Sequence, residues 1–104
     1  MADRYMTAGW AGQPVGFHFV MDAHAHLGQN TDFTVIDASA EGMLRCTDRM
    51  GVDLTAVSSI PGTIGGWTRG NDQVIEAIKR YPSRFLGYIT VNAHDPESVL
   101  PECE

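Results

Sequence analysis

The stretch Phe17-His18-Phe19-Val20-Met21-Asp22-Ala23-His24-Ala25-His26 opens apolar and β-prone and then turns abruptly polar. An apolar run of this length reads as a buried strand, here one that ends in a polar site. Alternate residues of a strand share a face, so Asp22, His24 and His26 are expected to point the same way. Two imidazoles at the strand end would then be near enough to grip one divalent ion, for which neutral imidazole is the commonest ligand. The alanines between them leave room for close packing, and Asp22, one step deeper, is a candidate to orient a ligand or to coordinate weakly. The competing reading of His24 and His26 is a pair of ordinary hydrogen-bonded histidines. His18, six residues before His24, lies ~20 Å away along an extended strand and is excluded from the same coordination sphere.

Downstream of this strand, Ala40, Met43, Leu44, Thr47 and Met50 recur at helical spacing between Ser39 and Met50. Ser39 or Asp37 can cap the free N–H groups, and Gly51 supplies a left-handed exit. Leu54 to Ile60 reads as a second strand, stopped by Pro61. Pro61 to Gly70 reads as a glycine-rich loop. Asn71 is the expected N-cap of a second helix whose apolar face is Val74, Ile75, Ile78 and Tyr81, closed by Pro82. Phe85 to Asn92 reads as a third strand, and Asp95-Pro96-Glu97 as the start of a third helix. Residues 1–16 hold four glycines or prolines and no apolar periodicity, and are read as an irregular N-terminal segment ahead of a domain over 17–104.

The resulting β-α-β-α-β-α order implies an α/β fold with a parallel sheet and right-handed crossovers. Such sheets keep their chemistry at the carboxyl ends of the strands, here Asp22 to His26, Ser58 to Ile60, and Asn92 to His94. That location raises His24 and His26 above a chance His-x-His pair. It also makes His94 a possible third ligand, against the plainer reading of a loop histidine beside the next helix cap. In the long Pro61–Gly70 loop, Trp67 could cover an apolar substrate and Arg69 could pair with a carboxylate, as a lid would. An exposed connection with an incidental tryptophan is the alternative there.

Composition narrows the function classes. Thirteen acidic residues against seven basic give a net charge of −6, and the basic residues are scattered with no cluster beyond the adjacent Lys79-Arg80, which argues against a phosphate-backbone binder and hence against nucleic acid. The longest apolar stretches fall far short of a bilayer span of ~20 residues, so no membrane partner is expected. Cys46 and Cys103 form no C-x-x-C pair, and a cytoplasmic, reducing setting fits them. No phosphate loop, no Gly-x-Ser-x-Gly elbow and no cysteine with an adjacent base is present, which leaves nucleophilic serine or cysteine catalysis without support.

Met21-Asp22-Ala23-His24-Ala25-His26-Leu27-Gly28, the helix leading to Met50-Gly51-Val52-Asp53, Asn71, and Tyr81-Pro82-Ser83-Arg84-Phe85 leading to Val91-Asn92 together resemble the amidohydrolase superfamily, in its amidohydrolase-related branch of metal-dependent hydrolases and decarboxylases. The resemblance runs from Phe17 to the last residue. It implies a (β/α)8 barrel in which His24 and His26 are two ligands of a catalytic divalent ion, most often zinc, with the remaining ligands on later strands. A barrel of that kind takes ~250 residues, so the 104 here correspond to its first three strands, ending within the third helix. The implied activity is hydrolysis of an amide, ester or lactone bond of a small-molecule substrate by metal-activated water. A non-oxidative decarboxylase of aromatic or unsaturated carboxylates is the alternative within the family. Outside it stands a catalytically inactive association module, because three strands leave a sheet face and edges free to self-associate or to join the missing barrel portion.

Overall fold

Leu27, Val57 and Phe85 are each no more than 1% exposed and lie on three neighbouring strands of the computed structural model, which describes residues 3–29, 32 and 34–104. The elements are α1 (Arg4–Trp10), β1 (Met21–Leu27), α2 (Ala40–Met50), β2 (Leu54–Ser59), α3 (Ile60–Thr63), α4 (Trp67–Arg80), β3 (Phe85–Gly87) and α5 (Pro96–Cys103). The strands form one parallel sheet in the order β1-β2-β3. The α/β class and the parallel pairing expected from the sequence are therefore present.

The sheet has one covered face. Val74 and Ala77 of α4 join Leu27, Val57 and Phe85 in the core, and Ala40, Met43 and Leu44 of α2 pack against the same cluster. Both long helices thus bury their apolar stripes on the row of side chains that includes Leu27, Val57 and Phe85. Gly87 continues that row: a Cβ there would sit 2.5 Å from Ile78 Cδ1 and 2.7 Å from Val74 Cγ1. The other face carries His24, His26, Leu86 and Tyr88, all exposed.

α2 is built as its sequence suggests. Ser39 Oγ accepts from Gly42 N–H at 3.0 Å, Asp37 braces Ser39 through both its N–H and its hydroxyl, and Gly51 exits at φ 73°. The edge of the sheet away from the histidines is tied by Arg84, which donates to the carbonyls of Val52 and Asp53 and pairs with Asp48 at 2.7 Å.

Five expectations are corrected. Residues 4–10 are helical rather than irregular, because the Asp3 carboxylate accepts from Tyr5 N–H and caps α1, while the breaking Gly12, Pro14 and Gly16 all lie beyond it. The first strand begins at Met21 and not at Phe17; Val20 N–H is taken by the Asp53 side chain at 2.7 Å. Asn71 does not cap a helix but lies buried within α4, which starts at Trp67. Its amide accepts from Thr90 N–H and donates to Thr90 O and Glu102 Oε1, so its polar atoms are satisfied without a cap position. The same clip draws residue 90 toward α4 and helps to end β3 at Gly87 instead of Asn92.

The glycine-rich loop over 61–70 is the fifth correction. Pro61 lies in the first turn of the short helix α3, Trp67 begins α4, and only residues 64–66 connect them. Here the glycines mark close packing. A Cβ on Gly70 would lie 2.5 Å from Gly62 Cα, so the two backbones approach as only glycines allow.

Candidate functional site

His24 and His26 stand on the uncovered face at the carboxyl end of β1, and their Nε2 atoms are 3.0 Å apart. The rings meet edge to face, with centroids separated by 4.8 Å and planes at 76°. Residues two apart on a strand are separated by ~6.6 Å, so the rings lean toward each other. His26 Nδ1 is 2.8 Å from Ser58 Oγ on the next strand, directly across the register. A partner on the second ring nitrogen fixes the orientation of an imidazole and leaves the first free to act as a ligand.

The strand is irregular just before the pair. Asp22 pairs with Thr55 and Ala25 with Val57, so three steps along β1 match two along β2, which is a β-bulge. One extra residue reverses the parity of everything on its far side. Asp22 therefore falls in the row of Thr55 and Val57, whereas His26 falls in the row of Ser58. The expected single face for Asp22, His24 and His26 is thus corrected: the histidines share a face and Asp22 belongs to the other row. Its Oδ1 instead accepts from His24 N–H at 3.0 Å, holding the backbone at the bulge.

Tyr88 supports the same bulge from the other edge. Its N–H donates to Val57 O at 2.8 Å and its hydroxyl to Ala23 O at 3.0 Å, so the side chain spans β2 to reach β1. Ala23, His24, Ser58, Tyr88, Thr90 and Val91 are among the residues that line an open depression of about 540 Å³. Ser58 was legible only as a strand-end residue, and Tyr88 carried no local signal. Their roles depend on register and on the bulge, which a sequence does not announce.

The remaining predicted residues lie elsewhere. His94 sits on the turn before α5, where its N–H donates to Asn92 Oδ1. Trp67 and Arg69 belong to the first turn of α4 and form no lid loop; Arg69 lines a separate depression with Gly28, Gln29 and Asp72. His18 contacts Arg4 at 2.7 Å and stacks on Tyr5.

Two nitrogens 3.0 Å apart can both reach a zinc ion at its usual Zn–N distance of ~2.0–2.1 Å, at an angle of roughly 95°. The pair therefore fits as two ligands. Among the described residues no group of three or more histidine, cysteine or acidic side chains could hold a metal. In the geometry seen, one Nε2 donates its hydrogen to the other. For both to act as ligands, both rings must carry the hydrogen on Nδ1, a tautomer that Ser58 Oγ accommodates at His26, since a hydroxyl can accept as well as donate. No family model matches the chain, no curated protein is recognisably similar to it, and no solved structure matches it.

Proposed function

We propose that this chain supplies the His24–His26 half of a divalent-metal centre, zinc being the first choice, in a metal-dependent hydrolase of amidohydrolase type acting on an amide, ester or lactone bond. The observation that carries the reading is the convergence of the two Nε2 atoms, 3.0 Å apart, at the carboxyl end of a parallel strand. A bound divalent ion would supply Lewis acidity, polarising a carbonyl and acidifying water. The chain's own residues bind and orient: His24 and His26 as ligands, Ser58 as the group that turns His26, and Asp22 as the anchor of the His24 backbone.

The sequential order β1-β2-β3 with both long helices on one face supports a segment of a (β/α)8 barrel, whose interior the histidine face would line. Further ligands would then come from strands that pair with the free edges of β1 or β3, whether from additional chain or from a second copy. The hydrolase stands ahead of the decarboxylase because Arg69, the residue suited to a substrate carboxylate, lines a different depression from His24. No helix among the described residues is long and apolar enough to cross a membrane. The cytoplasmic reading rests on the free thiols of Cys46 and Cys103.

The test is zinc content and turnover of model esters, lactones and amides by the protein, its His24→Ala and its His26→Ala variants. Loss of bound zinc in both variants is expected. Equal zinc and equal turnover in all three would overturn the reading.

A further inference from the structure

The bulge in β1 lies at the peptide before His24, and two groups outside the imidazole pair hold it. One is Asp22, whose carboxylate takes the His24 N–H. The other lies just after β3: the Tyr88 hydroxyl donates to Ala23 O. A bulge leaves a backbone group out of the ladder, and an unpaired carbonyl there would free the Ala23–His24 peptide to shift, and with it the set of the His24 ring against His26. Tyr88 is suited to prevent this because it is fixed at both ends. Its backbone N–H is bonded to Val57 O of β2 and its hydroxyl to β1, so the ring is a crossbeam over the face that carries His24 and His26.

We infer that Tyr88 is a positioning residue which, by holding Ala23 O, fixes the peptide before His24 and so sets the His24 ring against His26. It acts through the backbone and touches neither imidazole in a hydrogen bond; the nitrogen contacts of the pair are His24 to His26 and His26 to Ser58. Its value for metal binding rests on the function proposed above, but its effect on the imidazole pair does not. Removing the hydroxyl as Tyr88→Phe keeps the ring and the bond to Val57, so the strand order is retained while Ala23 O is released.

Two measurements separate the inference from the proposal beneath it. In the metal-free protein, long-range proton–nitrogen NMR reads the ring nitrogens of His24 and His26, whose Nε2 resonances carry the signature of a shared hydrogen. Tyr88→Phe is expected to move both Nε2 resonances toward those of isolated imidazoles, with the thermal midpoint nearly unchanged. Unchanged resonances would overturn the inference whatever the protein binds. The second measurement is a titration with cobalt(II) followed by its visible absorption. Tyr88→Phe is expected to weaken binding about tenfold, the lower end of what outer-shell partners of a metal ligand contribute. Wild-type affinity in Tyr88→Phe would count against the crossbeam. Absence of cobalt binding by the wild type, alongside the expected NMR change, would overturn the metal proposal and leave the role of Tyr88 in the bulge standing.

Discussion

Asp37 shows how much one side chain contributes when its neighbours are arranged for its charged form. Its carboxylate accepts from the Ser39 hydroxyl and the Ser39 N–H, and it faces the Arg45 guanidinium. The Ser39 hydroxyl first, and its N–H next, hold the carboxyl below its ordinary 3.8. Glu41, in the first turn of the same helix, is likewise lowered from 4.5, chiefly by its own backbone N–H and then by the Tyr81 hydroxyl. For a carboxyl with a depressed folded value, the unfolded chain binds the proton more tightly. The stabilisation is therefore complete well above the ordinary value and is lost as the pH falls through the folded one. Both groups are surface carboxylates, so the effect is read best as a titration. A carbon-detected NMR titration is expected to place the Asp37 midpoint below 3.8 and, in Ser39→Ala, to move it upward. An Asp37 midpoint indifferent to Ser39→Ala would contradict this account of the cap.

At the scale of elements, glycine has opposite meanings at two helical positions. Gly70, inside α4, faces Gly62 of α3 so closely that a Cβ would meet backbone at 2.5 Å. Gly9, inside α1, has nothing within 4 Å of its Cβ position. Gly70→Ala gains about 1 kcal/mol of helix propensity but forces the α3–α4 backbones apart, which as overpacking costs about 1–3 kcal/mol; a net loss is expected. Gly9→Ala has only the gain, so α1 should become more helical by about 0.5–1 kcal/mol. Urea midpoints for Gly70→Ala and helical amide exchange in α1 for Gly9→Ala check the two signs.

The same contrast explains what was legible in the sequence. α2 was readable because its cap, apolar stripe and exit glycine are local, at Ser39, Met43, Leu44 and Gly51. The 61–70 segment was misread because Gly62 and Gly70 serve a contact between elements, which looks identical in sequence to a flexible loop. The histidine pair was visible, but its partners were not. Asp22 changes rows at a bulge, and Ser58 and Tyr88 reach the site only through strand register.

The whole molecule is defined by what covers the sheet and what does not. The radius of gyration is 16.1 Å and the extents are 56 × 28 × 25 Å, against about 13 Å for a compact domain of this size. α1, which has no buried residue, accords with that elongation; Arg4 and Tyr5 attach it to Phe17 and His18. The sheet itself ends in β1 on one side and β3 on the other, and the face opposite α2 and α4 exposes Leu86 at 48% and Tyr88 at 51%. Free edges beside exposed apolar side chains favour pairing with another strand, which charged residues on an edge suppress. Leu86 is the position that separates association from folding, since it stands on the edge strand β3, next to Ala56 and away from the helix-covered row. Sedimentation velocity is expected to show concentration-dependent association of the wild type and a shift toward monomer in Leu86→Lys. The urea midpoint should stay nearly constant, because an exposed edge side chain contributes little to the core. A wild type that remains monomeric at every concentration would mean that the open face needs no partner. Association undiminished by Leu86→Lys would place the contact elsewhere than β3.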